Sequence, residues 1–143
     1  MAIVTKDLPA HVRALVGTAI GDNLGLPFEN REPRPRGPFA RFRYQPSVWS
    51  DDTQQALVLL DEFLRRGALD ARSVMDRFVA MRDDPSARDR RFGLHRGTGR
   101  GFRHAVDSYA ELGRFEPMPE RHGNGAAMRV VPVALAMHAH RAP

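Results

Sequence analysis

Cysteine is absent from this chain of 143 residues. That excludes disulfides and thiolate metal sites and makes a reducing cytoplasm the expected compartment. Lysine is nearly absent: Lys6 stands alone, and every other cation among the 22 Lys and Arg is arginine. No stretch approaches the roughly 18 consecutive apolar residues of a membrane span, so no membrane association is expected. The start, Met1 to Asp7, lacks a charged region leading into an apolar run, so no secretory signal is expected either.

The remainder is ordinary globular composition, with 42% hydrophobic and 27% charged residues, in a length suited to one core. The net charge of +5 raises the question of nucleic acid, and arginine is the better phosphate ligand. The arginines are scattered, however, with modest clusters at 31–43 and 88–103, and they are not interleaved with aromatics on one face. An extreme Arg:Lys ratio is also what codon bias in a GC-rich genome produces. A basic nucleic-acid-binding helical module is therefore the minor reading, and nucleic acid is not the expected partner.

Helical periodicity recurs along the chain and sustained alternation does not, so the expected class is all-α. Val12, Leu15, Val16, Ala19, Ile20 and Leu24 mark a first helix, capped near Asp7 and Pro9 and ending at Pro27. Gly17, Gly21 and Gly25 recur on it at every fourth position. Each costs about 1 kcal/mol against alanine, which points to close approach by a ligand or, equally, to tight helix packing. A second helix starts near Asp51, turns Ala56, Leu59, Leu60, Phe63 and Leu64 inward, and stops at Gly67. Asp70 caps a third, which buries Val74, Phe78 and Met81. A fourth runs from Thr98 or Gly99 to Gly113 with Phe102, Ala105, Val106 and Tyr109 on its apolar face. A fifth begins at Gly123–Gly125 and carries Met128, Val131 and Leu135, with Pro132 expected to kink it.

Three short stretches hold polar residues that helix packing does not need. Gly21-Asp22-Asn23-Leu24-Gly25-Leu26-Pro27-Phe28-Glu29 is a helix end with two carboxylates. Ser50-Asp51-Asp52-Thr53-Gln54 suits a helix N-terminus, with a cap and acidic first turn. It is equally a compact all-oxygen donor set of the kind that Mg²⁺ or Mn²⁺ prefers, and capping can preorganise such ligands. Gly123-Asn124-Gly125 before an apolar helix is either a plain helix entry or a source of backbone N–H groups for phosphate.

In series, Gly-x-Ala-Ile-Gly-Asp-x-Leu-Gly-x-Pro-x-Glu over residues 17–29, Trp-Ser-Asp-Asp-Thr-Gln-x-Ala-Leu over 49–57 and Gly-Asn-Gly-Ala-Ala-Met-Arg-x-x-Pro over 123–132 resemble the ADP-ribosylglycohydrolase family. The resemblance is strong over 12–29, 49–64 and 123–135, with a weaker echo at Gly97-Thr98-Gly99. It implies an all-α, multi-helix orthogonal bundle and a hydrolase that cleaves the glycosidic bond between ADP-ribose and a modified side chain. It makes Ser50, Asp51 and Asp52 ligands of a Mg²⁺ or Mn²⁺ centre, of two ions in a complete site. Ser50 stands where the family usually has Thr, and keeps the oxygen. Glu29 matches an acidic residue that acts in catalysis or gates the metal site. Gly123, Asn124 and Gly125 match the lining of the ADP-ribose pocket, and a structural role is favoured for Asp22.

One departure carries weight. Family members are longer and place a second Asp-rich motif, with the remaining metal ligands, near the C-terminus. Here no Asp or Glu follows residue 125, and Asp83-Asp84 is out of order. The expectation is that residues 1–143 form the N-terminal, truncated part of a single domain. Its site would be completed by self-association or a complementing second chain, and its expected partner is ADP-ribose or an ADP-ribosylated protein. The alternative is a catalytically incomplete fragment, or an ADP-ribose-binding pseudoenzyme.

Overall fold

A computed structural model describes residues 9–28, 49–84, 86, 98–117 and 123–139. Within them are six α-helices and no strand: α1 (Ala10–Gly25), α2 (Asp51–Arg66), α3 (Ala71–Asp83), α4 (Arg100–Leu112), α5 (Gly125–Met128) and α6 (Val130–Ala139). A single 3-10 turn, Leu26–Phe28, follows α1. The all-α expectation holds, while the proposed caps at Asp7 and the whole of 29–48 lie outside the described residues.

The best-specified element is α2. Ser50 accepts a hydrogen bond from the Asp52 N–H, and Asp51 and Asp52 put negative charge in the first turn. Arg65 and Arg66 put positive charge in the last, and Gly67 closes the helix at φ 71° with its N–H on Phe63 O. Cap, charge order and left-handed stop all agree with the helix direction. Asp70 caps α3 through the Ser73 N–H at 2.8 Å, and Gly113 at φ 66° ends α4.

α2 touches α1, α3, α5 and α6, while α4 is held by α3. Val58, Leu59, Phe78 and Val106 form the buried centre, with Val74, Met75, Met81 and Phe102 packed around them. Phe78 meets Phe102 edge-on, centroids 4.9 Å apart at 82°, the geometry that ring quadrupoles favour. Tyr109 Oη donates to Asp76 Oδ1 at 2.9 Å and Arg82 reaches Asp107 at 3.3 Å, so the α3–α4 pair is laced at its edges.

Three local expectations are corrected. Leu64 was expected to face inward but is 55% exposed. The buried arc of α2 is shifted round the helix to include Gln55, Val58 and Glu62, which leaves Leu57 and Leu64 outside. Glu62 is tolerated there because Arg66 Nε lies 2.8 Å and Arg77 Nη1 3.6 Å from its carboxylate. Secondly, Pro132 does not kink one continuous helix. α5 stops at Met128 and α6 restarts at Val130, with Arg129 in a turn between. A proline at 132 lacks the N–H that would bond Met128 O and its ring would clash there, so the break falls one turn before it and Pro132 sits in the first turn of α6. Thirdly, α1 buries no apolar side chain. Its one buried residue is Asn23, and Ile20 is 46% exposed.

Replacing Phe78 by Ala should cost about 3–5 kcal/mol by opening the α2–α3–α4 core, whereas Leu64→Ala should stay within about 0.5 kcal/mol. Urea unfolding of the two variants, read by circular dichroism, checks the contrast.

Candidate functional site

The site is built from the end of α1 and the start of α2. Asp22 Oδ2 accepts the backbone N–H of Ser50 at 2.8 Å and of Thr53 at 3.2 Å, and the Thr53 hydroxyl at 2.6 Å. Its Oδ1 lies 2.8 Å from Ser50 Oγ. Asp22 is thus a second cap on α2, supplied from another helix, which bears out its structural role. Ser50 is wholly buried and Asp51 is 5% exposed, while Asp52 is half-buried.

Ser50 Oγ carries one proton yet lies within reach of two carboxylates, Asp22 at 2.8 Å and Asp52 Oδ2 at 3.1 Å. Oxygen is crowded here and protons are short. Burial pushes the Asp52 carboxyl above its ordinary value of 3.8, and the neighbouring Asp22 charge pushes the same way, against the hydrogen bond from Ser50. Asp51 faces differently: Gln55 Nε2 donates to its Oδ2 at 3.0 Å, and Arg129 Nη1 donates to Gln55 Oε1 at 2.6 Å. The Arg129 guanidinium also lies 5.6 Å from the Phe102 ring centroid. Burial lowers its pKa, partly offset by the charge of Asp51.

Several of these groups line a cleft of about 1250 Å³, above the roughly 300–1,000 Å³ of common small-molecule sites. Asp51, Asp52, Gln55 and Arg129 line it together with Gly123, Asn124 and Gly125, so the second and third sequence motifs meet in space. Gly99, Arg100 and Gly101 at the start of α4 line it as well, at a helix end without a side-chain cap. α5 is only four residues long, so the glycine turn has little dipole behind it, and α4, of 13 residues, offers the stronger positive end. A smaller cleft of about 450 Å³ adjoins, lined by Thr18, Gly21, Asp22, Gly25 and Phe28, and Asp52 borders both. A Cβ at Gly17, Gly21 or Gly25 would meet nothing within 4 Å among the described residues, so no described helix packs tightly against that row. Glu29 lies outside the described residues.

Residues 9–143 match ADP-ribosylglycohydrolase. The chain belongs to the ADP-ribosylglycohydrolase family. Two curated relatives are both called ADP-ribosylarginine hydrolase Tri1. The one from Serratia proteamaculans (strain 568) is 33% identical, with 85% of this chain and 35% of the relative covered. That from Pseudomonas putida (strain GB-1) is 30% identical, covering 85% of this chain and 34% of the relative. The chain thus spans about a third of the length of these relatives. No solved structure matches significantly. Among the described residues no helix is long and apolar enough to cross a membrane.

For an ADP-ribosylglycohydrolase the donor set is informative. Among the described residues no three His, Asp or Glu side chains converge as a metal cluster. Asp51 and Asp52 nevertheless line the cleft at a helix start, and with the Ser50 hydroxyl bonded to Asp52 they are oxygen donors of the kind that suit one side of a hard-cation shell, with water completing the coordination as Mg²⁺ tolerates. Sequence reasoning missed Gln55 and Arg129. Gln55 falls at an unspecified position of the second motif, so nothing local set it apart; Arg129 belongs to the third motif, but the motif by itself gave it no role.

Asp52 gives a pH signature. Because its carboxyl is raised above 3.8 in the folded chain, the folded state holds that proton more tightly than the unfolded one. Stability falls as pH rises from 3.8 through the raised value and the penalty stays constant above it. Asp52→Asn should therefore raise the melting temperature at neutral pH in metal-free buffer, and the gain should disappear below pH 3.8. Thermal melts across that range test it.

Proposed function

We propose that this chain forms the ADP-ribose-binding and carboxylate-bearing part of a hydrolase that cleaves the glycosidic bond between ADP-ribose and a modified side chain. An arginine of an ADP-ribosylated protein is the substrate suggested by the names of the relatives. The observation that carries the reading is the single cleft uniting Asp51 and Asp52, the glycine turn at Gly123–Gly125 and the uncapped start of α4. The backbone N–H groups at Gly99–Gly101, with Arg100, suit a pyrophosphate. Phe102 and the half-exposed Phe115 border the same cleft as apolar surface for the nucleoside.

Ser50, Asp51 and Asp52 would hold Mg²⁺ or Mn²⁺, and Asp52, bordering both clefts, would stand near the scissile bond, with the departing side chain in the smaller one. A divalent ion there would supply Lewis-acid polarisation of the ribose oxygens as the anomeric carbon becomes oxocarbenium-like. Glu29 is the carboxylate assigned to take a proton from the attacking water. The C–O bond forms at the anomeric carbon, the C–N bond breaks, and its electron pair leaves on the guanidine nitrogen, which collects a proton. Further ligands, beyond Ser50, Asp51 and Asp52, would be needed to complete the site. The lack of a three-carboxylate cluster among the described residues favours a second reading, an ADP-ribose binder with little turnover.

Calorimetric titration of ADP-ribose with Mg²⁺ or with chelator, on wild type and on Asp51→Asn/Asp52→Asn, tests the proposal. Metal-dependent binding that weakens at least tenfold in the double variant is expected. Binding that ignores both chelator and mutation would remove the metal from the reading, and no binding by a folded chain would remove ADP-ribose. Release of free ADP-ribose from ADP-ribosylarginine separates hydrolase from binder.

A further inference from the structure

We infer that Arg129 is a positioning residue for the carboxylate pair, acting on Asp51 through Gln55. This rests on the metal-site reading above and adds to it a residue from the far end of the chain. The chain of contacts is short and buried. Arg129 Nη1 donates to Gln55 Oε1 at 2.6 Å, and Gln55 Nε2 donates to Asp51 Oδ2 at 3.0 Å. Gln55 is 2% exposed and Asp51 5%.

An amide has two different ends, and on its own Gln55 could turn either toward Asp51. Its oxygen facing a carboxylate would be repulsive, whereas its NH₂ is attractive. Arginine has donors only, so a guanidinium on one side of Gln55 fixes the oxygen there and commits the NH₂ to Asp51. Arg129 is itself fixed. Phe102 lies 5.6 Å below the guanidinium, and Gly125 leaves room for it: a Cβ at that position would come within 2.9 Å of Arg129 Nη2. The glycine of the third motif thus clears the space from which the arginine of the same motif orients an aspartate of the second.

The opposite electrostatic effect must be weighed. A guanidinium near a cation site repels the cation, so an arginine acting merely as a charge would weaken metal binding. The Asp51 charge does act on Arg129, but hydrogen bonds run through the neutral Gln55, which bonds to both. In that geometry orientation outweighs repulsion, and removing Arg129 weakens the site.

The test is Mn²⁺ affinity, measured by electron paramagnetic resonance on the full chain, for wild type, Arg129→Met, Arg129→Lys, Gln55→Met and the Arg129→Met/Gln55→Met double variant. Far-UV circular dichroism verifies the helix content of each. Positioning predicts that Arg129→Met and Gln55→Met each weaken Mn²⁺ about tenfold. The double variant should be no weaker than either single one, because both remove the same link. Arg129→Lys keeps the charge and loses the fork, and should fall between wild type and Arg129→Met. Should Arg129→Met fail to fold, Gln55→Met and Arg129→Lys carry the same comparison. Tighter binding in Arg129→Met, unchanged binding in Gln55→Met, or additive losses in the double variant would each overturn the inference and leave the metal reading intact. A folded wild type that binds no Mn²⁺ would overturn the metal reading and this inference with it, while ADP-ribose binding is judged separately by calorimetry.

Discussion

The carboxylate of Asp22 joins the last turn of α1 to the first turn of α2, and the rest of the site depends on that junction. It accepts backbone N–H groups from Ser50 and Thr53 and lies within hydrogen-bonding reach of both hydroxyls. Helix N-termini leave N–H groups unpaired, and a charged acceptor satisfies them more strongly than a neutral cap. Because the acceptor comes from another helix, the same bonds that finish α2 also fix where α2 starts relative to α1. Asp51 and Asp52 follow immediately and inherit that position.

The junction has a cost in stability. A third carboxylate, Asp52, stands beside Asp22 and the Ser50 hydroxyl, and burial together with the Asp22 charge disfavours its ionised form. A sequence selected for stability alone would place an amide or a hydroxyl there. Charge concentrated at the border of two clefts, at the head of a rigid helix, is instead the kind of local conflict expected where a chain binds something.

Around this point the fold divides its labour. The apolar packing lies on the α3–α4 side, where Val58 and Leu59 of α2 meet Phe78 and Val106. On its other faces α2 meets α1, α5 and α6 and presents polar residues, among them Thr53 and Gln55, buried to about the same degree as the core. The large cleft runs from the polar face to the core itself, whose Leu59 and Phe78 line it beside Asp51 and Gln55. Phe102 belongs to both, packing on the core cluster and lying under the Arg129 guanidinium.

Sequence by itself determined the helices whose ends are chemically marked. Ser50 with Asp51 and Asp52, Asp70, Gly67 and Gly113 define starts and stops by local hydrogen bonding and by the left-handed conformation that glycine accepts. It also determined the family, because three motifs in series were legible as residues. Only the tertiary structure decided which face of α2 is buried. Gln55 and Glu62 are inside because Asp51, Arg129, Arg66 and Arg77 partner them, and a hydrophobic pattern carries no information about distant partners. The break at Arg129 was half legible: Pro132 announced a disruption, but the position of the missing hydrogen bond decided that it falls one turn earlier. The link from Arg129 through Gln55 to Asp51 spans 74 positions in sequence between its first two members. No local rule connects residues so far apart, so only the packing of α5 against α2 brings the guanidinium to the amide.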